Sequence, residues 1–269
     1  MAIDNNELST KLAANGAALK PSSVIGIMKP WFEKKQQNIA ELCGNPEDAK
    51  RLYVAAMTYI SNRPDLMKCD PRSLQACLMQ SATLGLFPGV LGEADYITFK
   101  DQAKFIVGFQ GMIKLAVQSE MVTDIGANVV WEADTFDYME GTGAYLNHRK
   151  FLGPRKDRGQ RVCAYACANM RVGGTKFIIM TIEEVMNIKA KSKAKNSEYS
   201  PWNTDVDTED EMIKKTCIKR LSKLLPKSTK ALKFATAVAL DNAGENPDDK
   251  DSSLSIPVFT EDDLLENNT

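Results

Sequence analysis

Two proline-opened helix starts, followed by an abrupt change of texture at Gly85, constrain the fold of this chain most. Asn45-Pro46-Glu47-Asp48 sets a capping side chain ahead of a proline that needs no N–H. The following segment, DAKRLYVAAMTYISN, places Leu52, Ala55, Ala56, Tyr59 and Ile60 on one helical face. Asp70-Pro71 opens another helix, PRSLQACLMQSATL, which Gly85 is suited to close. Beyond it, LGLFPGVLGEADYITFK is rich in glycine, aromatic and β-branched residues, a mixture that suits loop and strand.

The remaining segments extend this pattern. Ser23 to about Leu42 reads as helix, interrupted at Pro30. A strand over 94–100, a short turn at Asp101-Gln102 and the strand KFIVGF form a hairpin, and GMIKLAVQSE follows as a helix. Strands are expected near 122–132 and 135–139, and a hairpin over 161–170 and 175–181 turns at Arg171-Val172-Gly173-Gly174. A helix from about Ile182, the loop KSKAKNSEYSPWNTD, and helices over about 208–225 and 228–240 close the body. The predicted class is α+β, with helices packed on a mostly antiparallel, hairpin-rich sheet and no fixed-period repeat. Three regions are expected: an arm at 1–22, a body at 23–240, and an acidic linker and tail at 241–269, with a short helix from Thr260 to Glu266.

The chain of 269 residues is long enough for one large domain or two small ones. No apolar run approaches the roughly 20 residues of a membrane span. The first residues lack the basic start and apolar stretch of a signal peptide, so a cytoplasmic location without membrane contact is expected. Six scattered cysteines, no Cys-x-x-Cys and the single histidine His148 make zinc and a disulfide framework poor expectations. Reduced, mostly buried thiols, no metal and no cofactor are expected instead.

The net charge of −1 conceals an asymmetry. Residues 241–269 hold nine acids and one lysine, a charge of −8, which leaves the first 240 residues at +7. A basic body suits a polyanion, and an acidic tail suits either a protein partner or simple solvation. Val258, Phe259, Leu264 and Leu265 lie among the tail's acids and favour a docking segment.

The segment EMIKKTCIKRLSKLLPK carries the most chemistry. Ile213, Cys217, Leu221 and Leu224 form an apolar stripe, and Lys215, Lys219 and Lys223 fall opposite, flanked by Lys214 and Arg220. Between 211 and 233 there are eight basic residues and one acid, so a lysine row facing successive phosphates is expected over a mixed-sign solvated face. The loop before it supplies Lys189, Lys191, Lys193 and Lys195, then Tyr199 and Trp202. Alternating cations and rings suit a single strand, although Trp202 would serve equally as a buried anchor of the loop. In KFIVGFQGMIKLA, Gly108 and Gly111 permit close approach, and Lys104, Phe109, Gln110 and Lys114 would face a ligand. Arg149 is the best phosphate candidate within Asn147-His148-Arg149-Lys150.

Enzyme signatures are missing. GTGAYL is not GxGxxG, there is no GxxxxGK[ST] loop, and the carboxylates from Asp205 to Glu211 read as helix N-terminal charge. A nucleic-acid enzyme such as a nuclease, with the basic surface as substrate channel, is the alternative, as is a passive single-strand binding protein.

LGLFPGVLGEA, KFIVGFQGMIKLA, the Gly173, Gly174, Phe177 and Met180 pattern, and SPW…EMIKKTCIKRLSKLLP together resemble the RecT family of phage-type single-strand annealing proteins. The resemblance covers about residues 50–230 in consistent order. It implies an ATP-independent, non-catalytic DNA annealing protein in homologous recombination. Such a protein binds single-stranded DNA and the annealed duplex, and assembles into rings or helical filaments in a bacterial host's cytoplasm. It implies a 5′→3′ exonuclease partner, and a host single-strand binding protein docking on the tail. The DNA-binding set implied is Lys104, Phe109, Lys114, Arg149, Lys176, Trp202, Lys214, Lys215, Lys219, Arg220 and Lys223, to which the loop reading adds Lys191 and Lys193. Gln110 stands where the family often has arginine, and Asp95 and Thr98 replace a usual tyrosine and proline.

Overall fold

The computed structural model describes residues 21–89, 91–192, 202–225 and 231–245. Among them are seven α-helices and three antiparallel sheets, which makes the class α+β. The chain divides into two compact units, one of residues 1–89 and 96–105, the other of 90–95 and 106–269.

The first unit is built on three helices, α1 (Pro21–Cys43), α2 (Pro46–Ser61) and α3 (Pro71–Leu84). Asn45 accepts from the Asp48 N–H ahead of α2, and Asp70 accepts from the Arg72 N–H ahead of α3, so both proline-opened starts form as read. Gly85 ends α3 in the left-handed region at φ 69°. Pro30 does not interrupt α1. It lies on the exposed face, where the hydrogen bond it deletes is to the exposed Gly26, and losing a solvent-side bond costs least. Val24, Met28, Ile39, Leu52, Ile60, Leu74 and Leu78 are fully or almost fully buried. Phe32 stacks on Tyr53 at 3.9 Å, and the enclosed Tyr96 shares a 2.8 Å hydrogen bond with Ser81. Burial pushes the Tyr96 phenol pKa far up, which keeps it neutral.

Strands β1 (Ala94–Phe99) and β2 (Gln102–Val107) form a hairpin turning at Lys100, whose φ is 59°. In the second unit, α4 (Phe109–Gln118) leads into β3 (Val122–Trp131). Strand β3 pairs with β6 (Arg161–Met170), and β6 with β7 (Thr175–Thr181), giving the order β3-β6-β7. Between β3 and β6 lies a separate hairpin of β4 (Thr135–Met139) and β5 (Tyr145–Arg149). The expected sheet is thus three smaller ones. Strand β5 is the element the sequence reading missed, because its polar Asn147-His148-Arg149 run lacks an alternating apolar signal.

Register assigns the central sheet two different faces. Val129, Ala127, Ile125, Ala164, Ala166, Ala168 and Met180 share one face and are all buried. The other carries Val130, Cys163 and Tyr165, on which Phe136 and Leu146 of the β4–β5 hairpin pack. Helices α5 (Ile182–Lys191), α6 (Val206–Ser222) and α7 (Leu232–Glu245) follow. Helix α5 opens with a capping box between Thr181 and Glu184. Helix α6 packs against all three strands of the central sheet and also against α4 and α7. All six cysteines are free thiols, four of them buried, and burial raises the Cys217 thiol to about 12. Among the described residues no helix is long and apolar enough to cross a membrane.

Gly108 has an ordinary φ of −75°, and what it permits is contact between two chain segments. A Cβ there would lie 1.9 Å from the Gly92 carbonyl oxygen, while its N–H donates to the Glu93 carbonyl at 2.9 Å. The close approach that the sequence suggested is therefore made to the chain's own backbone. Gly108→Ala is expected to cost about 2 kcal/mol by overpacking. Chemical denaturation of the variant measures this, and an unchanged midpoint would mean that the contact relaxes freely.

Candidate nucleic-acid interface

The lysine row of α6 is not a solvent-facing stripe. Lys215 is only 5% exposed, and its Nζ donates to Oδ1 of Asp241 at 2.7 Å. Lys219 Nζ donates to the other carboxylate oxygen at 3.0 Å. Asp241 stands on α7 with no exposed surface. Burial alone would raise its pKa, but the two ammonium groups outweigh that and hold the carboxyl below its usual range. Thr216 and Ile218 are buried as well, so the stretch 215–218 of α6 is enclosed, while its first residues and Arg220 stay exposed. The signals available in the sequence were Ile218, off the apolar stripe, and Asp241, a lone acid in the apolar run FATAVALDNA. Helix α7 continues to Glu245, which brings Asp241 out of the expected tail and into the core.

The other predicted cations of α6 stay near the surface. Arg220 and Lys223 are exposed, while Lys214 is half-buried and donates to Glu211 at 2.7 Å. Arg149 is exposed on β5 and lies 3.4 Å from the Thr135 hydroxyl. Lys176 is exposed on β7 opposite Ala168, and Lys191 is exposed at the end of α5. Phe109 is half-buried at the first position of α4. Lys114 donates to both oxygens of Glu93 at 2.9 Å. In the first unit, Lys104 sits 4.5 Å from the Phe99 ring centroid. Lys193, Lys195, Tyr199, the arm at 1–20 and the tail beyond Glu245 lie outside the described residues.

Trp202 is 4% exposed, so it takes the anchoring role and not that of an open stacking platform. Lys189 donates to its carbonyl at 2.8 Å and to Glu209 at 2.7 Å, and lies 5.9 Å from its ring centroid. Glu209 is partly buried, which raises its pKa, but Lys189 and Arg161 outweigh that and hold it down. The end of α5, Trp202 and the start of α6 are thereby tied together through the Lys189 ammonium.

A cleft of about 620 Å³, which the sequence reading missed, opens between the central sheet, the β4–β5 hairpin, the segment 150–158 and the start of α6. Its residues include Asn128, Trp131, Tyr165, His148, Lys150, Arg155, Arg158 and Lys214. Three guanidinium groups surround the Trp131 ring, with Arg155, Arg158 and Arg161 at 5.9, 5.1 and 5.4 Å from its centroid. Acids meet these cations: Arg155 donates to Asp207 at 2.6 Å, and Arg161 to Asp210 at 2.7 Å. The cleft is therefore zwitterionic and not uniformly basic.

Asp134 organises one wall of that cleft. Its enclosed carboxylate accepts from the backbone N–H of Trp131 and of Phe151, at 3.0 and 2.9 Å. It also accepts from Arg158 at 2.8 and 3.1 Å, and lies 3.1 Å from His148 Nε2. An ionised acceptor there places the imidazole proton on Nε2. Nδ1 then accepts from the Tyr165 hydroxyl at 3.2 Å, and that oxygen accepts from Asn128 at 3.2 Å. His148 is thus a strut in a polar chain. Burial would raise the Asp134 pKa, but Arg158, the two backbone donors and His148 carry it far below the usual carboxylate range.

The chain matches the RecT family model over residues 50–254. It is also 34% identical over 235 residues to Protein RecT of Escherichia coli (strain K12), covering 84% of this chain and 82% of that protein. The fold is that of an α+β protein in which Lys215 and Lys219 of α6 turn inward onto Asp241. The chain belongs to the RecT family.

A native pKa held below the unfolded value stabilises the fold above the unfolded pKa, near 4, and that contribution fades as pH falls through the acid range. Asp134→Asn is expected to cost about 3 kcal/mol at pH 7 and clearly less at pH 3. Urea unfolding at the two pH values tests this. A deficit that is equal at both would remove the carboxylate charge from the explanation.

Proposed function

We propose that this chain binds single-stranded DNA and anneals complementary strands without ATP, acting as an oligomer in phage-type homologous recombination. The observation that carries this reading is the RecT family match over 50–254, which supports a recombination-associated single-strand annealing protein that self-associates.

Physical chemistry supplies a mechanism that needs no catalytic residue. Exposed cations hold phosphates and release counterions, so binding weakens steeply with salt. In the proposed set, Arg149, Lys176, Lys191, Arg220 and Lys223 contact phosphates, with Lys214 released from Glu211 on binding. Lys104, Phe109, Lys114 and Lys193 remain in that set. Lys215, Lys219 and Trp202 are assigned to holding the fold, because Lys215 and Trp202 are enclosed and Lys219 shares the fully buried Asp241 carboxylate. Adjacent protomers keep a long strand extended with base edges available, and a complementary strand that pairs is retained by stacking. Annealing is downhill, so nucleotide hydrolysis has no role. A 5′→3′ exonuclease would supply the strand, and the acidic segment beyond Glu245 would dock a host single-strand binding protein.

The test is annealing of two complementary labelled oligonucleotides at low salt without ATP. The wild type is expected to accelerate pairing, and Arg220→Ala/Lys223→Ala to bind about tenfold more weakly at moderate salt while staying folded. Binding without acceleration in every assembly condition would replace annealing with passive strand binding. Strand cleavage with Mg²⁺ would replace it with a nuclease.

A further inference from the structure

The β4–β5 hairpin bears an outer half that the DNA reading does not use. Its base is fixed, because Asp134 accepts from backbone groups on both sides of the hairpin, Trp131 before it and Phe151 after it. Phe136 and Leu146 fasten its inner face to Val130, Cys163 and Tyr165. Beyond that fastening, Met139 and Tyr145 on the outward face are 45% and 39% exposed, while Tyr138, paired with Leu146, lies on the same face as Phe136. Met139 and Tyr145 are directly paired across the strands, so they form one apolar patch. The Tyr145 hydroxyl donates to Asp137 at 2.9 Å, which orients the ring at the patch edge.

Charge decides what can cover this patch. From Phe136 to Leu146 there are two carboxylates, Asp137 and Glu140, and no lysine or arginine. A phosphate backbone is repelled there, and so is an acidic peptide such as this chain's own segment beyond Glu245. A basic protein surface is attracted. With Asp241 and Glu245 counted into α7, residues 1–245 carry a net +5, so a second copy offers the complementary charge.

We propose that the outer half of the β4–β5 hairpin is a self-association surface, seated head-to-tail on the basic body of a neighbouring copy. The proposal rests on the self-association contained in the functional reading above, and adds which surface performs it. A patch that meets a different surface on its neighbour gives a heterologous contact, which closes a ring or propagates a filament. The fixed base matters because a rigid arm transmits a defined rotation from one protomer to the next, whereas a loose one gives disordered aggregates. Arg149 lies on the same face of the hairpin, nearer its base, where it pairs with Thr135.

The experiment uses the full chain and two variants, Glu140→Lys and Met139→Ser/Tyr145→Ser. Sedimentation velocity follows assembly against protein concentration on a long single strand. Fluorescence anisotropy follows binding of an oligonucleotide short enough for one protomer. Both variants are expected to need about tenfold more protein to assemble, with short-strand affinity unchanged within about twofold. Glu140 is exposed beyond the strand ladder, so Glu140→Lys decides the matter even if the double variant is unstable. Unchanged assembly in folded Glu140→Lys would overturn the proposal. Short-strand binding that falls or rises as much as assembly would overturn it too, by making the hairpin a DNA contact. Failure of the DNA reading itself shows separately, as a wild type that does not bind the short strand.

Discussion

One buried carboxylate decides how the second unit of this protein is built. Asp241 on α7 takes the ammonium groups of Lys215 and Lys219 on successive turns of α6. Removing three charges from water is expensive unless each is answered, and two hydrogen-bonded cations on one anion answer them only when the helices keep a fixed register. The arrangement depends on both contacts. It also explains why α6 can carry so many lysines and still lie among β3, β6, β7, α4 and α7. The alanines at 164, 166 and 168 on β6 belong to a sheet face that is buried throughout.

Asp134 plays the corresponding part at the base of the β4–β5 hairpin. It ties the two ends of the β4–β5 hairpin and Arg158 to a single point, and passes that order through His148 and Tyr165 to Asn128 on β3. An isolated two-stranded hairpin is barely stable in water. This one gains its stability from Phe136 and Leu146 packed on the central sheet and from the polar chain beneath them. The unit thus has a fastened hairpin and a helix layer on its central sheet, with exposed cations on β5, β7, α5 and the end of α6.

The elements with strong local signals were legible in the sequence. Asn45-Pro46, Asp70-Pro71 and Gly85 mark helix ends by backbone chemistry alone, and the α2, α3, β6 and β7 segments follow. The sequence did not disclose facts that depend on distant partners. Lys215 looks like a surface residue until Asp241, twenty-six positions on, is packed against it. Trp202 had two equal readings until its ring proved enclosed, with Lys189 on its carbonyl. Strand β5 carries a polar sequence because His148 and Asn147 alternate between a buried polar chain and solvent, a pattern that hydropathy does not register. The family motif remained readable throughout because it marks α6 itself. Two of its lysines, Lys215 and Lys219, are taken up by packing against Asp241.

That division of α6 is the account's central claim, and the salt dependence of single-strand binding tests it most directly when read alongside stability. Binding constants would be measured from low to moderate salt for the wild type, Lys215→Met and Arg220→Ala/Lys223→Ala, with urea unfolding of each. The account predicts that Lys215→Met keeps the wild-type salt slope and loses roughly 3 kcal/mol of stability. It predicts that the surface double variant keeps its stability and loses about 1.4 from the slope, the share of two phosphate contacts on a single strand. A Lys215→Met protein of full stability with a reduced slope would contradict the account and return the buried lysine to the DNA.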